Sequence, residues 1–453
     1  MFVFLIQDGS ILPDFRSRHR RREIGLLQER HTDGTDTETH TFVALLKTCG
    51  QKRDISKGIN LHAQILNRGL LENNPYIAST LISMYAKCGM IEKAQDVLEN
   101  VPVRDLVCWN ALIAGYAQQG QGQEALNCFE RMQSEGLSPD VISFICILKA
   151  CANIGAIEKG KQIHEEIVSR GLLKKDVVLG TALVDMYAKC MMLPKAKQVL
   201  EELLVRNVVS WNALITGYTQ KGQGHEALNC FDQMQREGIS PNTITFICIL
   251  KACGSIGAIE KGNQVHEEIA GRNLLEKDIV LGTALVDMYA KCGVLVKAKQ
   301  VLEELSVRNI VSWNALIVGY LQQGQFHEVL HCFERMLNEG LSPNSVTFIS
   351  ILKACGSTGA ISKGEKVHEE ILNRGLKKDI MLGTALVDMY AKCGVLAKAQ
   401  AVLDELPVRN IVSWSALIAG YAQQGQGQEA INCFERMQGE GLFPDTVTFT
   451  CIL

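Results

Sequence analysis

The sequence repeats itself. The run LLKTCG at Leu45 returns as ILKACA at Ile147 and as ILKACG at Ile249 and Ile351, a period of about 102 residues. Each copy is followed by a Met-Tyr-Ala-Lys-Cys segment and then by a tryptophan, Trp109, Trp211, Trp313 or Trp414. Long-range periodicity marks a stack of supersecondary units in which no unit buries its apolar face alone and neighbours complete one another's core. Function in such an array lies in the surface it presents, so recognition is expected and the chain is not read as an enzyme.

Within one block the apolar period is helical. Trp109, Leu112, Ile113 and Tyr116 fall at i, i+3, i+4, i+7, and Ala125, Cys128, Phe129 and Met132 repeat that spacing. Gly120 separates the two runs, Gly136 stands where a helix C-terminus favours φ > 0, and Pro139 prevents continuation, so each unit is expected to be an antiparallel helical hairpin. No segment alternates with period two, and the predicted fold is all-α.

Composition narrows the class. With 47% hydrophobic and 21% charged residues the chain has the make-up of a globular protein, and no apolar run approaches the roughly 18 to 20 residues of a spanning helix. The sixteen cysteines recur at repeat positions such as Cys151, Cys253 and Cys355, as expected of small buried hydrophobes in a reducing compartment. A formal net charge of −3 argues weakly against coating of duplex nucleic acid and says little about a groove with its own local sign.

Cutting before each first helix gives units that cycle through three lengths: 39–74, 75–105 and 106–140, then 141–176, 177–207 and 208–242, then 243–278, 279–309 and 310–344, then 345–379, 380–410 and 411–445. Twelve hairpins are complete and a partial one covers 446–453. Residues 1–38 stand outside the pattern; their basic run, Arg16, Arg18, Arg20, Arg21 and Arg22, fits an organelle-targeting peptide, while Asp8, Asp14 and Glu23 fit a disordered leader instead.

The segments VSWNALITGYTQKGQGHEALNCFDQMQREGISPN (209–242), TFICILKACGSIGAIEKGNQVHEEI (245–269) and LGTALVDMYAKCGVLVKAKQVLEEL (281–305) resemble the P-type, L-type and S-type units of the pentatricopeptide repeat family, PLS subclass. Uniform 34-residue units would instead have suggested tetratricopeptide repeats. The resemblance covers roughly residues 39–453 and implies a right-handed superhelix of helical hairpins that binds single-stranded RNA in a mitochondrion or chloroplast, about one nucleotide per unit.

Two columns of small polar residues stand out. Trp109 lies on the buried stripe, so Asn110 is rotated by about 100° to the flank of the first helix, where its amide would offer donors and an acceptor to a base edge. Asn212, Asn314 and Ser415 hold that place in later P-type units, and Ser79, Thr181, Thr283 and Thr384 in S-type units. The last residue of the unit is Asp140, Asn242, Asn344 or Asp445 in P-type and Asp105, Asn207, Asn309 or Asn410 in S-type units.

By the resemblance these columns form a base-reading pair: Thr/Asn for adenine, Asn/Asp for uracil, Asn/Asn for cytosine with some uracil, Ser/Asp for guanine. Unit by unit they spell N-G-U-N-A-Y-N-A-Y-N-A-G, with one unread base per L-type unit. The alternative is that such residues merely cap helices and close turns.

Three further sets follow from the resemblance. Val107, Val178, Val209, Val280, Val311 and Val412 match residues that sandwich the bases, packing between hairpins being the alternative. Lys87, Lys189, Lys291 and Lys392 match phosphate-contacting residues, solvated helix ends being theirs. L-type units carry Val43, Ile145, Ile247 and Ile349 at the reading position and are expected to be spacers, although their final residues, Asn74, Asp176, Asp278 and Asp379, keep the pattern.

His164-Glu165-Glu166, repeated at His266 and His368, matches the H-x-E of zinc deaminases, but the chain has no C-x-x-C partner, and these histidines are expected on second helices of L-type units. No metal site, cofactor, membrane contact or small-molecule substrate is expected. The array stops at Leu453 inside the first helix of an L-type unit, which reads as truncation before the family's C-terminal extension and deaminase-like region. The expected role is the specificity factor of C-to-U RNA editing, with the deaminase or other editing factors acting in trans. Transcript stabilisation or processing, and a peptide-binding scaffold, are the alternatives.

Overall fold

The computed structural model describes residues 35–452, apart from 72–73, 174–175, 276–277 and 377–378. The basic run of the leader and Leu453 lie outside the described residues. Among the described residues there are twenty-five helices and no strand, and no helix is long and apolar enough to cross a membrane.

The chain forms two compact units, Met1–Ala150 and Cys151–Leu453. In the first, hairpins are made by Thr35–Lys52 with Ile55–Asn67, Pro75–Lys87 with Ile91–Asn100, and Leu106–Gln118 with Gly122–Ser134. In the second the same plan runs from Val177–Lys189 with Leu193–Glu202 through to Ile411–Gln423 with Gly427–Gly439, and Thr446–Ile452 follows. Inside each unit the first helices of successive hairpins pack side by side as one layer, and the second helices pack on that layer.

The cycle of lengths has a local cause. Second helices of S-type units have ten residues, Ile91–Asn100, Leu193–Glu202, Leu295–Glu304 and Leu396–Glu405, against thirteen in P-type units such as Gly122–Ser134. Each short helix ends on an apolar residue, Val101, Leu203, Leu305 or Leu406, that leaves in extended conformation and buries its side chain. Burial of that residue turns the chain back about one helical turn early. The second helix of a P-type unit ends instead through glycine, with Gly136 at φ 83° where the left-handed region was expected.

The four tryptophans are the largest buried side chains. Indole Nε1–H of Trp211, Trp313 and Trp414 donates to Glu237, Glu339 and Glu440, which also pair with Arg206, Arg308 and Arg409 from the preceding S-type unit. One carboxylate thus ties two neighbouring hairpins. Trp109 Nε1 is buried without a partner, and the corresponding Glu135 binds Arg104 and Arg131. All sixteen cysteines are free thiols; burial raises those of Cys151 and Cys253 to about 12, which leaves them un-ionised and inert.

The H-x-E histidines lie on second helices of L-type units and join L-type to S-type hairpins. Nδ1 of His164, His266 and His368, and of His62 in the first unit, lies 2.8 to 3.0 Å from the hydroxyl of Tyr187, Tyr289, Tyr390 and Tyr85. Burial lowers the pKa of His62, His164 and His266, so each of these folded sites favours the neutral ring. The unfolded chain takes up these protons near 6.5 and the folded chain only at lower pH. Stability is therefore expected to be flat above about pH 6.5 and to fall as pH drops below it. Urea midpoints from pH 8 to pH 5 check this, and a midpoint unmoved across that range contradicts it.

Candidate nucleic-acid interface

The last residue of each unit is the N-cap of the next first helix. Asp105 Oδ1 accepts from Cys108 N–H at 2.8 Å, Asn207 Oδ1 from Val209 and Ser210, Asn309 from Ser312 and Asn410 from Ser413. Asn74, Asp176, Asp278 and Asp379 cap the S-type first helices in the same way. Every described member of this column thus caps a helix.

In P-type units the two columns meet. Asn110 Nδ2 donates to Asp140 Oδ1 at 3.0 Å, while the buried Ser143 hydroxyl donates to Asn110 Oδ1 at 2.7 Å. Asn212 and Asn314 repeat this with Asn242 and Asn344 at 2.9 and 3.0 Å, and with Thr245 and Thr347, both at 2.7 Å. Ser415 bonds Thr448, and its hydroxyl lies 3.5 Å from Asp445.

The amide expected to stand open is thus already engaged, and Asn110, Asn212 and Asn314 are only 6 to 8% exposed. What stays available is on the capping residue. These bonds and the caps all use Oδ1, and among the described residues no bond occupies Oδ2 of Asp140 or Nδ2 of Asn242 or Asn344. Thr448, through its hydroxyl and its N–H, holds the Asp445 carboxyl below its ordinary value, so it is an ionised acceptor at neutral pH.

S-type units do otherwise. The hydroxyls of Thr181, Thr283 and Thr384 donate to carbonyls of Val177, Ile279 and Ile380 one turn back, each at 2.8 Å, and Ser79 to Tyr76 at 3.3 Å. Bonded this way, the oxygen faces a ligand as an acceptor. Ser79 is buried, and the three threonines are half-buried.

The valine column lies open. Val107, Val209, Val280, Val311 and Val412 range from 39 to 61% exposed, and Val178 is half-buried. Sequence reasoning missed that the column does not stop at S-type and P-type units: Ile142, Ile244, Val346 and Val447 hold the same second position in L-type units and are exposed, as are Tyr76 and Met381. Counting from each unit's first residue would have found them.

The S-type lysines are exposed but not isolated charges. Lys189, Lys291 and Lys392 pair with Asp185, Asp287 and Asp388 one turn earlier at 2.7 to 2.8 Å, whereas Lys87 has Ser83 in that place. Among the described residues no group of acidic, cysteine and histidine side chains could hold a metal ion.

Tandem hairpins whose first helices form a layer within each compact unit, with a cap-linked polar column and an exposed apolar column, define a helical-repeat protein. The PPR repeat family profile matches residues 104–153, 206–255, 308–357 and 409–453, and the PPR repeat profile matches 76–105, 181–208, 283–310 and 346–376. The chain belongs to the pentatricopeptide repeat family.

Three Arabidopsis thaliana pentatricopeptide repeat-containing proteins, two chloroplastic and one mitochondrial, are 35%, 34% and 35% identical over 92%, 93% and 91% of this chain. The chain spans 67%, 52% and 59% of their respective lengths. In fold it is similar to the pentatricopeptide repeat protein PPR10 from maize, with a TM-score of 0.59 at 21% identity over 91% of this chain and 65% of that one. It is also similar to PPR10 in complex with an 18-nt psaJ RNA element, with a TM-score of 0.53 at 20% identity over 91% of this chain and 71% of that one.

Proposed function

We propose that this chain binds one sequence of single-stranded RNA in a mitochondrion or chloroplast, one nucleotide per unit, through a PLS-type array. The carrying observation is the unoccupied second heteroatom of the capping residue. Uracil and guanine present a ring N–H on the Watson–Crick edge, which an Asp Oδ2 accepts; cytosine and adenine present a ring nitrogen, to which an Asn Nδ2–H donates. The column 79, 110, 181, 212, 283, 314, 384 and 415 then sorts ring size, the small hydroxyls leaving room for purines and the longer amide filling it for pyrimidines. The exposed apolar column supplies faces for the bases to rest against.

The relatives' organellar locations support the compartment, and the three-length cycle supports the PLS type. On that basis the chain serves as the specificity factor of C-to-U editing, with deamination supplied by a partner or by a further domain. In a fluorescence anisotropy titration, N-G-U-N-A-Y-N-A-Y-N-A-G is expected to bind more tightly than a base-shuffled control of equal composition. Equal affinity for the two would overturn the base-reading pair.

A further inference from the structure

Resting on the RNA-binding reading above, we infer that the L-type units, otherwise spacers, help to choose the base read by the P-type unit before them, through the hydroxyl of their third residue: Ser143, Thr245 or Thr347. All three are fully buried and touch both members of the preceding reading pair. They are positioning residues, acting on the base only through Asn110, Asn212 and Asn314.

The bonds close a ring. Asn212 Nδ2–H donates to Asn242 Oδ1 at 2.9 Å, the backbone N–H of Asn242 donates to Thr245 Oγ1 at 3.1 Å, and that hydroxyl lies 2.7 Å from Asn212 Oδ1. It also lies 3.0 Å from Asn242 Oδ1, but a hydroxyl has one proton to give. Asn242 Oδ1 already takes two donors, the Thr245 N–H being the second, whereas Asn212 Oδ1 has no other donor among the described residues. The proton therefore serves Asn212. Ser143 and Thr347 repeat the ring with Asn110 and Asn314.

The ring decides which way each amide faces. With its oxygen held by the hydroxyl, Asn212 aims Nδ2 at the cap, and Asn242 turns Oδ1 inward and Nδ2 outward. Without the hydroxyl, Asn212 Oδ1 would be buried and unsatisfied, so the amide turns over or moves out and the reading pair loses its fixed geometry.

Other junctions carry a different third residue, matched to a different reader. After Ile145, Ile247 and Ile349 of L-type units come the buried Leu179, Leu281 and Leu382. After the threonines of S-type units come Ser210, Ser312 and Ser413, which accept from the N–H of their caps at 3.1 Å as Thr245 does. Their hydroxyls, however, donate to the carbonyls of those caps at 2.8 to 2.9 Å, and among the described residues no bond joins them to Thr181, Thr283 or Thr384. A hydroxyl bonded to the reader thus occurs behind P-type units, where Thr448 likewise meets Ser415.

Cytosine and adenine both offer a ring nitrogen to Asn242 Nδ2, so the choice between them at the sixth base of the target falls to Asn212. Fluorescence anisotropy of the full chain with twelve-nucleotide RNAs carrying C or A at the sixth base tests this, with C or A at the ninth base as the internal control. Thr245→Val, or Thr245→Ala if only that variant keeps the helicity of the unmodified chain, is expected to lower the C-over-A ratio at the sixth base about fivefold, the weight of one hydrogen bond, and to leave the ninth unchanged. Thr245→Ser should restore the ratio. Ser210→Ala removes a capping-box hydroxyl that touches no reader, and should leave both ratios as they were.

An unmoved ratio at the sixth base, a fall at both bases, an equal fall in Ser210→Ala, or lost helicity in both Thr245 variants overturns the inference and leaves base reading standing. If the unmodified chain prefers C over A at neither base, the base-reading pair fails and takes the inference with it.

Discussion

Asn344→Asp is expected to turn the unit 310–344 from cytosine to uracil at the ninth base of the target, by about 1–3 kcal/mol in relative affinity. The exchange is nearly isosteric and spares the fold. Asp caps a helix as well as Asn does, and Asp140 already accepts an asparagine amide in the same geometry as Asn344. Only the heteroatom not used internally changes, from a donor to an acceptor. Competition between RNAs carrying C or U at that base measures it; an unaltered C/U ratio in a variant with unchanged helicity would sink the proposed pairing rule.

The second large effect concerns the core. Trp313 is fully buried, donates to Glu339 at 2.8 Å and lies under the Arg335 guanidinium at 5.3 Å. Trp313→Ala is expected to cost about 3–5 kcal/mol, against a few tenths for an exposed site such as Val296. Stability in a repeat array is a sum of local and nearest-neighbour contributions, so the loss should be felt most between the hairpins that share Glu339. Urea unfolding should show an early phase in the Ala variant that Trp313→Phe largely suppresses; a midpoint shift no larger than that of Val296→Ala would refute the role assigned to the indole.

What was legible in the sequence was what repeats at helical spacing. The stripe of Trp109, Leu112, Ile113 and Tyr116 is buried, and Gly120 and Gly136 take positive φ. The three unit lengths could be counted, but not which helix gave up residues, because that depends on where Val101 or Leu305 finds a pocket. The bond from Asn110 to Asp140 spans 30 positions, from the first helix of a unit to its last residue. No local pattern encodes such a contact, so the amide looked unengaged. The Lys189–Asp185 pair was within reach of i,i+4 inspection of the sequence.

Because the terminal residue of one hairpin starts the helix of the next, the alphabet available at that letter is narrow. Each described junction carries Asn or Asp, which seats the following helix through Oδ1 and keeps a second heteroatom, a donor in one and an acceptor in the other. On the proposed reading, an Asn/Asp exchange at such a junction changes the base preferred while the start of the next helix is kept.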